Sequence, residues 1–263
     1  MSINFIFSSQ MIEISNRVFE HIGDRSNMED CCFHINSAIY QAYVMLDGHG
    51  SRQAVDTSTV FIGPYIDQNI FGLTTENYNE WFDELYQSLE YHLRNMNCKG
   101  GTTLTIIIFY NRYLYLGQVG DTQVAIINED VFYMSPKHNT QDISECRRIL
   151  SDSNCMIDSE GYIGGMINLT RTLGDFNIKE MCCAITCKPE CGCFVLDNNV
   201  KIFMATDGLW NGRPEWSSHL LMSLWEYEFA TLDKIFTDIS YISKDNTSVM
   251  MLDVLVKPVS DVS

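Results

Sequence analysis

A chain of 263 residues, 46% of them hydrophobic, can bury one large core and need not divide into domains. Lys and Arg number 17 against 34 Asp and Glu, a formal net charge of −17, and a field of that sign repels phosphate backbones, so no nucleic-acid partner is expected. No apolar run approaches the ~18–20 residues of a transmembrane helix, and MSINFIFSSQ lacks the basic start and apolar core of a signal peptide. A cytoplasmic or nuclear monomer without a membrane segment is the expectation.

Taken in chain order, the segment IEISNRVFEH alternates weakly and reads as a first strand. Residues 31–46 hold two short strand candidates that end at YVMLDGHGSRQAV (43–55). Ser51 to about Phe71 reads as a helix interrupted near Gly63 and Pro64, and YNEWFDELYQSLEYHLRNM (78–96) is an amphipathic helix. After Gly100 and Gly101, the β-branched and aromatic run 102–134 predicts three or four hairpin-connected strands, with turns at Asn111–Arg112, Gly120–Asp121 and 128–130. A short helix follows in QDISECRRILSDSN (141–154), then strands around 183–195 and 199–206. Helices are expected near 214–227 and 231–242, and a closing strand over Thr247–Val256. Strands in hairpin succession interleaved with helix pairs indicate an α+β layered domain, not a doubly wound parallel sheet. With no repeat and no linker, residues 1–263 read as a single domain.

Ten cysteines in a chain without an export signal read as reduced thiols scattered through a core. The densest group, Cys182, Cys183, Cys187, Cys191 and Cys193, fits the paired spacing of a structural zinc site only loosely.

The chemistry-bearing pattern is acidic. Apolar strands end in VMLDG with Asp47 and in IFMATDG with Asp207, and the last strand opens at Asp245 in SKDNTSVMML. GDRSNMED adds Glu29 and Asp30 after Arg25, and QVGDT adds Asp121. Any one of these is an ordinary turn or cap residue. Several such carboxylates gathered at one sheet edge would suit hard divalent cations such as Mg²⁺ or Mn²⁺, which prefer oxygen donors to thiolates.

Seven segments in order resemble the metal-dependent protein serine/threonine phosphatases of the 2C type. They are GDRSNMED, MLDGHGS, GGTTLTIII, LYLGQVGDTQVAI, INLTRTLGDF, MATDGLWN and DNTSVMML, spread over nearly the whole chain. The resemblance implies a four-layer fold, in which a sandwich of two mainly antiparallel β-sheets is flanked on both faces by helix pairs. It implies two bound Mg²⁺ or Mn²⁺ ions, with Asp47 bridging them and the Gly48 carbonyl, Asp207, Asp245, Glu29 and Asp30 completing the sites. Asp121 matches a residue associated with a third ion. Arg25 would clamp the phosphate of a phosphoserine or phosphothreonine protein, for which a planar guanidinium is well shaped. His49 would be the general acid, and a water activated by the ions would attack phosphorus in line. Asp175, in LGDF, is expected to order the local turn.

Two positions depart from the pattern: Asn211 stands where the family has an acid that helps the third ion, and Gln123 where it commonly has Arg. The segment between His138 and Asn168, where the family places its flap, is short. Two other readings compete. An inactive pseudophosphatase kept as a binding scaffold would have lost its metal carboxylates, yet Asp47, Asp207 and Asp245 are present. A thiol-rich metal or redox protein would use the cysteines of 182–193.

Overall fold

The computed structural model describes residues 3–7, 10–128, 132–210 and 243–258. The chain opens with β1 (Ile3–Phe7) and β2 (Gln10–His21), followed by β3 (Cys31–Asn36), β4 (Tyr40–Leu46) and the two-residue β5 (Gly48–His49). Helices α1 (Gln53–Asn69) and α2 (Tyr78–Asn95) come next. A run of five strands follows: β6 (Gly101–Thr102), β7 (Leu104–Tyr110), β8 (Tyr113–Val119), β9 (Gln123–Ile127) and β10 (Phe132–Met134). Then come α3 (Ile143–Leu150), β11 (Leu173–Gly174), α4 (Phe176–Met181) and β12 (Glu190–Val195). The last described elements are β13 (Val200–Ala205), α5 (Asp207–Trp210) and β14 (Thr247–Pro258).

The strands form a six-stranded sheet, β1-β2-β14-β13-β9-β10, a five-stranded sheet, β12-β8-β7-β4-β3, and a small sheet, β11-β6-β5, all with antiparallel pairing. Alternation along β4 shows how the layers stack. Tyr43 and Met45 join Ile107 and Phe109 of β7 against Ile14, Val124, Ile202, Met204 and Met250 of the larger sheet. Ala42, Val44 and Leu46 point the other way, into a core with α1 and α2. A strand covered on both faces needs apolar side chains at every position, which explains the unbroken run YQAYVML. On α2 the buried residues Trp81, Phe82, Leu85, Tyr86, Leu89 and Leu93 fall on one helical stripe. The outer face of the larger sheet packs Phe203 and Met251 against Leu209 and Trp210. The α+β class is as expected; the helices anticipated at 214–227 and 231–242, and with them the outer layer on that side, lie outside the described residues.

Local expectations need correction. Helix α1 runs through Gly63 and Pro64 without a break, because Ile62 and Ile66 on either side are clamped in the core. Only after Asn69 does it tighten, into a 3₁₀ turn at Ile70–Gly72. Strand β12 begins at Glu190 rather than near residue 183, since Cys182 turns inward instead. There Cys155 and Cys182 form a disulfide, with Cα atoms 5.1 Å apart, inside a small cluster of Ile149, Ile163, Ile167, Leu169 and Ile185. The expectation of uniformly reduced, scattered thiols therefore fails for this pair: the segment 139–186 folds back on itself and brings them together. The other eight cysteines are free. Burial pushes the Cys187 thiol up to about 11 and Cys191 up to about 12, so neither is a ready thiolate.

Candidate metal-dependent active site

Strand register brings the acids to one end of the sandwich. Cys31, after Asp30, pairs with Leu46, before Asp47. Leu104, at the start of β7, pairs with Val119, which leads into Asp121. In the other sheet, Ala205 precedes Asp207 and faces both Gln123 and Val249, while Thr247, just after Asp245, faces His21 at the end of β2. Five chain segments that are distant in sequence thus end side by side.

Local hydrogen bonds fix each segment. The Asp47 backbone N–H donates to Thr103 Oγ1 at 3.0 Å, and its carbonyl accepts from Thr103 N at 2.9 Å and from Thr102 Oγ1 at 3.1 Å. The Gly-Thr-Thr segment is thereby the splint that holds the Asp47 turn. Gly48 is packed against the Glu29 carbonyl, where a Cβ would stand only 2.7 Å away, so a side chain there would push the two loops apart. The Thr206 hydroxyl donates to Asp30 Oδ2 at 2.9 Å. Asn246 ties the Arg25 loop to the start of β14: its Nδ2 donates to the Ile22 and Asn27 carbonyls, and its Oδ1 accepts from Glu29 N at 2.7 Å. Asn246 carried no role in the sequence reading, although its place beside Asp245 in DNTS was the available signal.

The electrostatics follow from crowding. Burial first, then Asp30, Asp207, Asp121 and Asp245, hold the Asp47 carboxyl well above the ordinary carboxylate range. Burial, with Asp121, Asp245 and Asp30 behind it, raises Asp207 to about 7. Asp30 rises to about 6, burial outweighing the nearby Ser248 and Thr206 hydroxyls. Asp121 is also raised by burial, against the Nδ2 donor of Asn139 at 3.1 Å. Asp30 Oδ1 is buried with no hydrogen-bond partner among the described residues. Repelling, oxygen-only donors of this kind suit hard divalent cations. Their oxygens are not drawn around one point. Among the described residues, the one trio of candidate ligand atoms lying within 4.8 Å of one another is Asp152, Cys155 and Cys182, whose two sulfurs are already bonded together.

The remaining predicted residues are Arg25, Glu29 and His49. Arg25 Nη2 donates to Asp245 Oδ2 at 2.6 Å, with both side chains largely exposed. Glu29 is half-buried in the adjoining loop. His49, on β5, lines a cavity of about 780 Å³ with Arg94, Lys99, Met166, Phe176 and Ile178. Asp175 orders its local turn, accepting from the Thr172 hydroxyl at 2.9 Å, and its side chain also reaches beyond that turn. Its carboxylate makes no capping bond to α4, which it precedes; instead Oδ2 lies 2.6 Å from His49 Nε2. Gln123, the unexplained departure, donates from Nε2 to the Ser135 carbonyl at 2.9 Å and so braces β9 against the segment after β10. Asn211 lies outside the described residues.

The described residues thus form a layered α+β domain with acids gathered at one end of its sandwich. Residues 16–214 match the family model described as protein phosphatase 2C, and the chain belongs to that family. It is 25% identical over 215 residues to a probable protein phosphatase 2C of Arabidopsis thaliana, covering 72% of this chain and 54% of that one. A protein phosphatase 2C homologue of Schizosaccharomyces pombe is 25% identical over 203 residues, covering 71% of this chain and 57% of the relative. The chain thus spans little more than half the length of these relatives. Among solved structures, a Caenorhabditis elegans sex-determining protein superposes with a TM-score of 0.75 at 18% identity, over 91% of this chain and 64% of that one. The catalytic domain of the serine/threonine phosphatase PstP, in complex with two manganese ions, gives 0.62 at 16% identity, over 93% and 99%. These likenesses fix the fold.

Proposed function

We propose that the chain is a metal-dependent protein phosphatase that hydrolyses phosphoserine and phosphothreonine monoesters. The observation that carries this reading is the crowding of Asp30, Asp47, Asp121 and Asp207 at one end of the sandwich, each buried or nearly so and each raised by burial, with an exposed arginine on Asp245 and a cavity-lining histidine on β5. Carboxyls crowded in this way are neutralised by protons or by bound cations, and an oxygen-only donor set suits hard divalent cations.

Asp47, the Gly48 carbonyl, Asp207, Asp245, Glu29 and Asp30 would hold two divalent cations, Mg²⁺ or Mn²⁺, with Asp121 toward a third. When bound, such a pair supplies a water of lowered pKa and neutralises charge on the phosphoryl oxygens. The protein's own part is placement. Arg25 exchanges its exposed bond to Asp245 for the phosphate oxygens, which a guanidinium meets with two parallel N–H donors. His49 stands at the cavity side and gives a proton to the departing serine or threonine oxygen. The Thr102–Thr103 splint keeps the Asp47 turn from yielding as the charges shift.

Phosphate release from a phosphothreonine peptide, with and without millimolar Mn²⁺, tests the reading. Turnover that requires the metal is expected. A chain that binds Mn²⁺ yet releases no phosphate would instead be the inactive scaffold.

A further inference from the structure

We propose that Asp175 is a positioning residue for His49, determining which ring nitrogen faces the leaving group; the proposal rests on the reading of His49 as general acid. His49 Nε2 and Asp175 Oδ2 are 2.6 Å apart, across 126 residues of sequence. The carboxylate is 4% exposed, and the ring is 31% exposed on the cavity side. The Thr172 hydroxyl donates to the same oxygen at 2.9 Å, so the carboxylate is itself held.

The backbone around this contact is shaped for it. Asp175 sits in the left-handed region, φ 51° and ψ 37°, a conformation that non-glycine residues adopt sparingly. No helix cap accompanies it, because the side chain turns away from α4 to the histidine. Gly101, opposite, has no Cβ where the Asp175 carboxylate stands, and any other residue there would displace it. The Asp175 N–H donates to the Gly100 carbonyl at 3.0 Å, which locks the turn beside β5.

The chemical consequence is directional. An Nε2–H directed at the carboxylate leaves Nδ1 as the nitrogen available to substrate. Water adds to phosphorus as the P–O bond to serine breaks, and the electron pair stays on the serine oxygen. That oxygen takes the Nδ1 proton; the proton lost by the attacking water goes to solvent, from which His49 is reprotonated. A ring free to rotate or to change tautomer would miss the oxygen.

Asp175→Gly adopts the left-handed backbone freely and removes the one oxygen that both Nε2 and the Thr172 hydroxyl meet. It should lower kcat on a phosphoserine peptide by about 10–10²-fold, within the range that general-acid catalysis supplies, with KM within about 3-fold. On p-nitrophenyl phosphate, whose leaving group departs without a proton, kcat should change less than about 3-fold. In a His49→Gln background the second substitution should add nothing. Equal losses on both substrates, or an additive loss in the double variant, would overturn the proposal. Nitrogen-15 NMR of the metal-free protein at alkaline pH decides it without turnover. The wild-type ring should be the Nε2–H tautomer and Asp175→Gly a mixture, whereas a wild-type ring carrying its proton on Nδ1 would contradict the role. Should the wild type prove inert on both esters, the phosphatase reading fails while the tautomer still decides the contact.

Discussion

At the residue scale, Asp47 is the centre of the account. It is the carboxylate on which four others act, and its backbone is splinted by Thr102 and Thr103. Asp47→Asn should leave the fold intact, because it relieves repulsion, and should lower turnover by on the order of 10³ or more. Far-UV circular dichroism together with phosphopeptide kinetics checks both halves. Asn246 makes the complementary prediction, since its side chain meets Ile22, Asn27 and Glu29. Asn246→Ala should cost about 2–3 kcal/mol in denaturant unfolding at roughly 1 kcal/mol per hydrogen bond, and should weaken substrate binding through Arg25. Asp47, Asp121, Asp207 and Asp245 were legible in the sequence because each ends or opens an apolar strand beside a glycine or a small polar residue. The Asp175 contact was not, because no local pattern announces a partner 126 residues away.

At the element scale, the strands were readable where one face or both are buried. In the run 102–134 the β7–β8 hairpin turn carries Asn111 and Arg112 at φ 52° and 27°, whereas the hairpin expected at Gly120–Asp121 is absent: Gly120, at 101°, takes the chain from the five-stranded sheet to the six-stranded one. Short elements were invisible: α4 has six residues and β11 two, too few for any period to show. The segment 139–186 owes its shape to pairings that spacing does not encode. Cys155 and Cys182 are two of ten cysteines, and Glu145, besides its helix neighbour Arg148, reaches Thr170 and Arg171 some way along the chain. Burial works against ionising Glu145, yet the bonds from Arg148, Arg171 and Thr170 prevail and hold its carboxyl well below the usual range. Glu145→Gln breaks a buried ion-pair network and should cost about 3 kcal/mol in thermal or denaturant unfolding. Hydrogen exchange should show the loss concentrated in 139–186, and uniform loss across the sandwich would mean that this segment is not a separate unit.

At the scale of the whole molecule, the crowded acids tie stability to pH and to cations. Carboxyls raised in the folded state, Asp30 to about 6 and Asp207 to about 7, bind protons more tightly there than in the unfolded chain. Between about pH 4, where unfolded carboxyls titrate, and about pH 7, the folded state therefore carries more protons, and metal-free stability should fall as pH rises. Mn²⁺ should reverse the trend, because it binds the deprotonated carboxylates of the folded state alone. Melting temperature at pH 5 and pH 7, with and without the ion, checks the sign.

Everything above turns on whether the crowded carboxylates hold a metal centre that hydrolyses phosphoprotein esters. The most direct test is calorimetric Mn²⁺ binding and phosphothreonine-peptide turnover, measured side by side on wild type, Asp47→Asn and Asp207→Asn. The account predicts that the wild type binds and turns over, while each variant loses affinity and activity together. A wild type inert in millimolar Mn²⁺, or two variants with full activity, would contradict it.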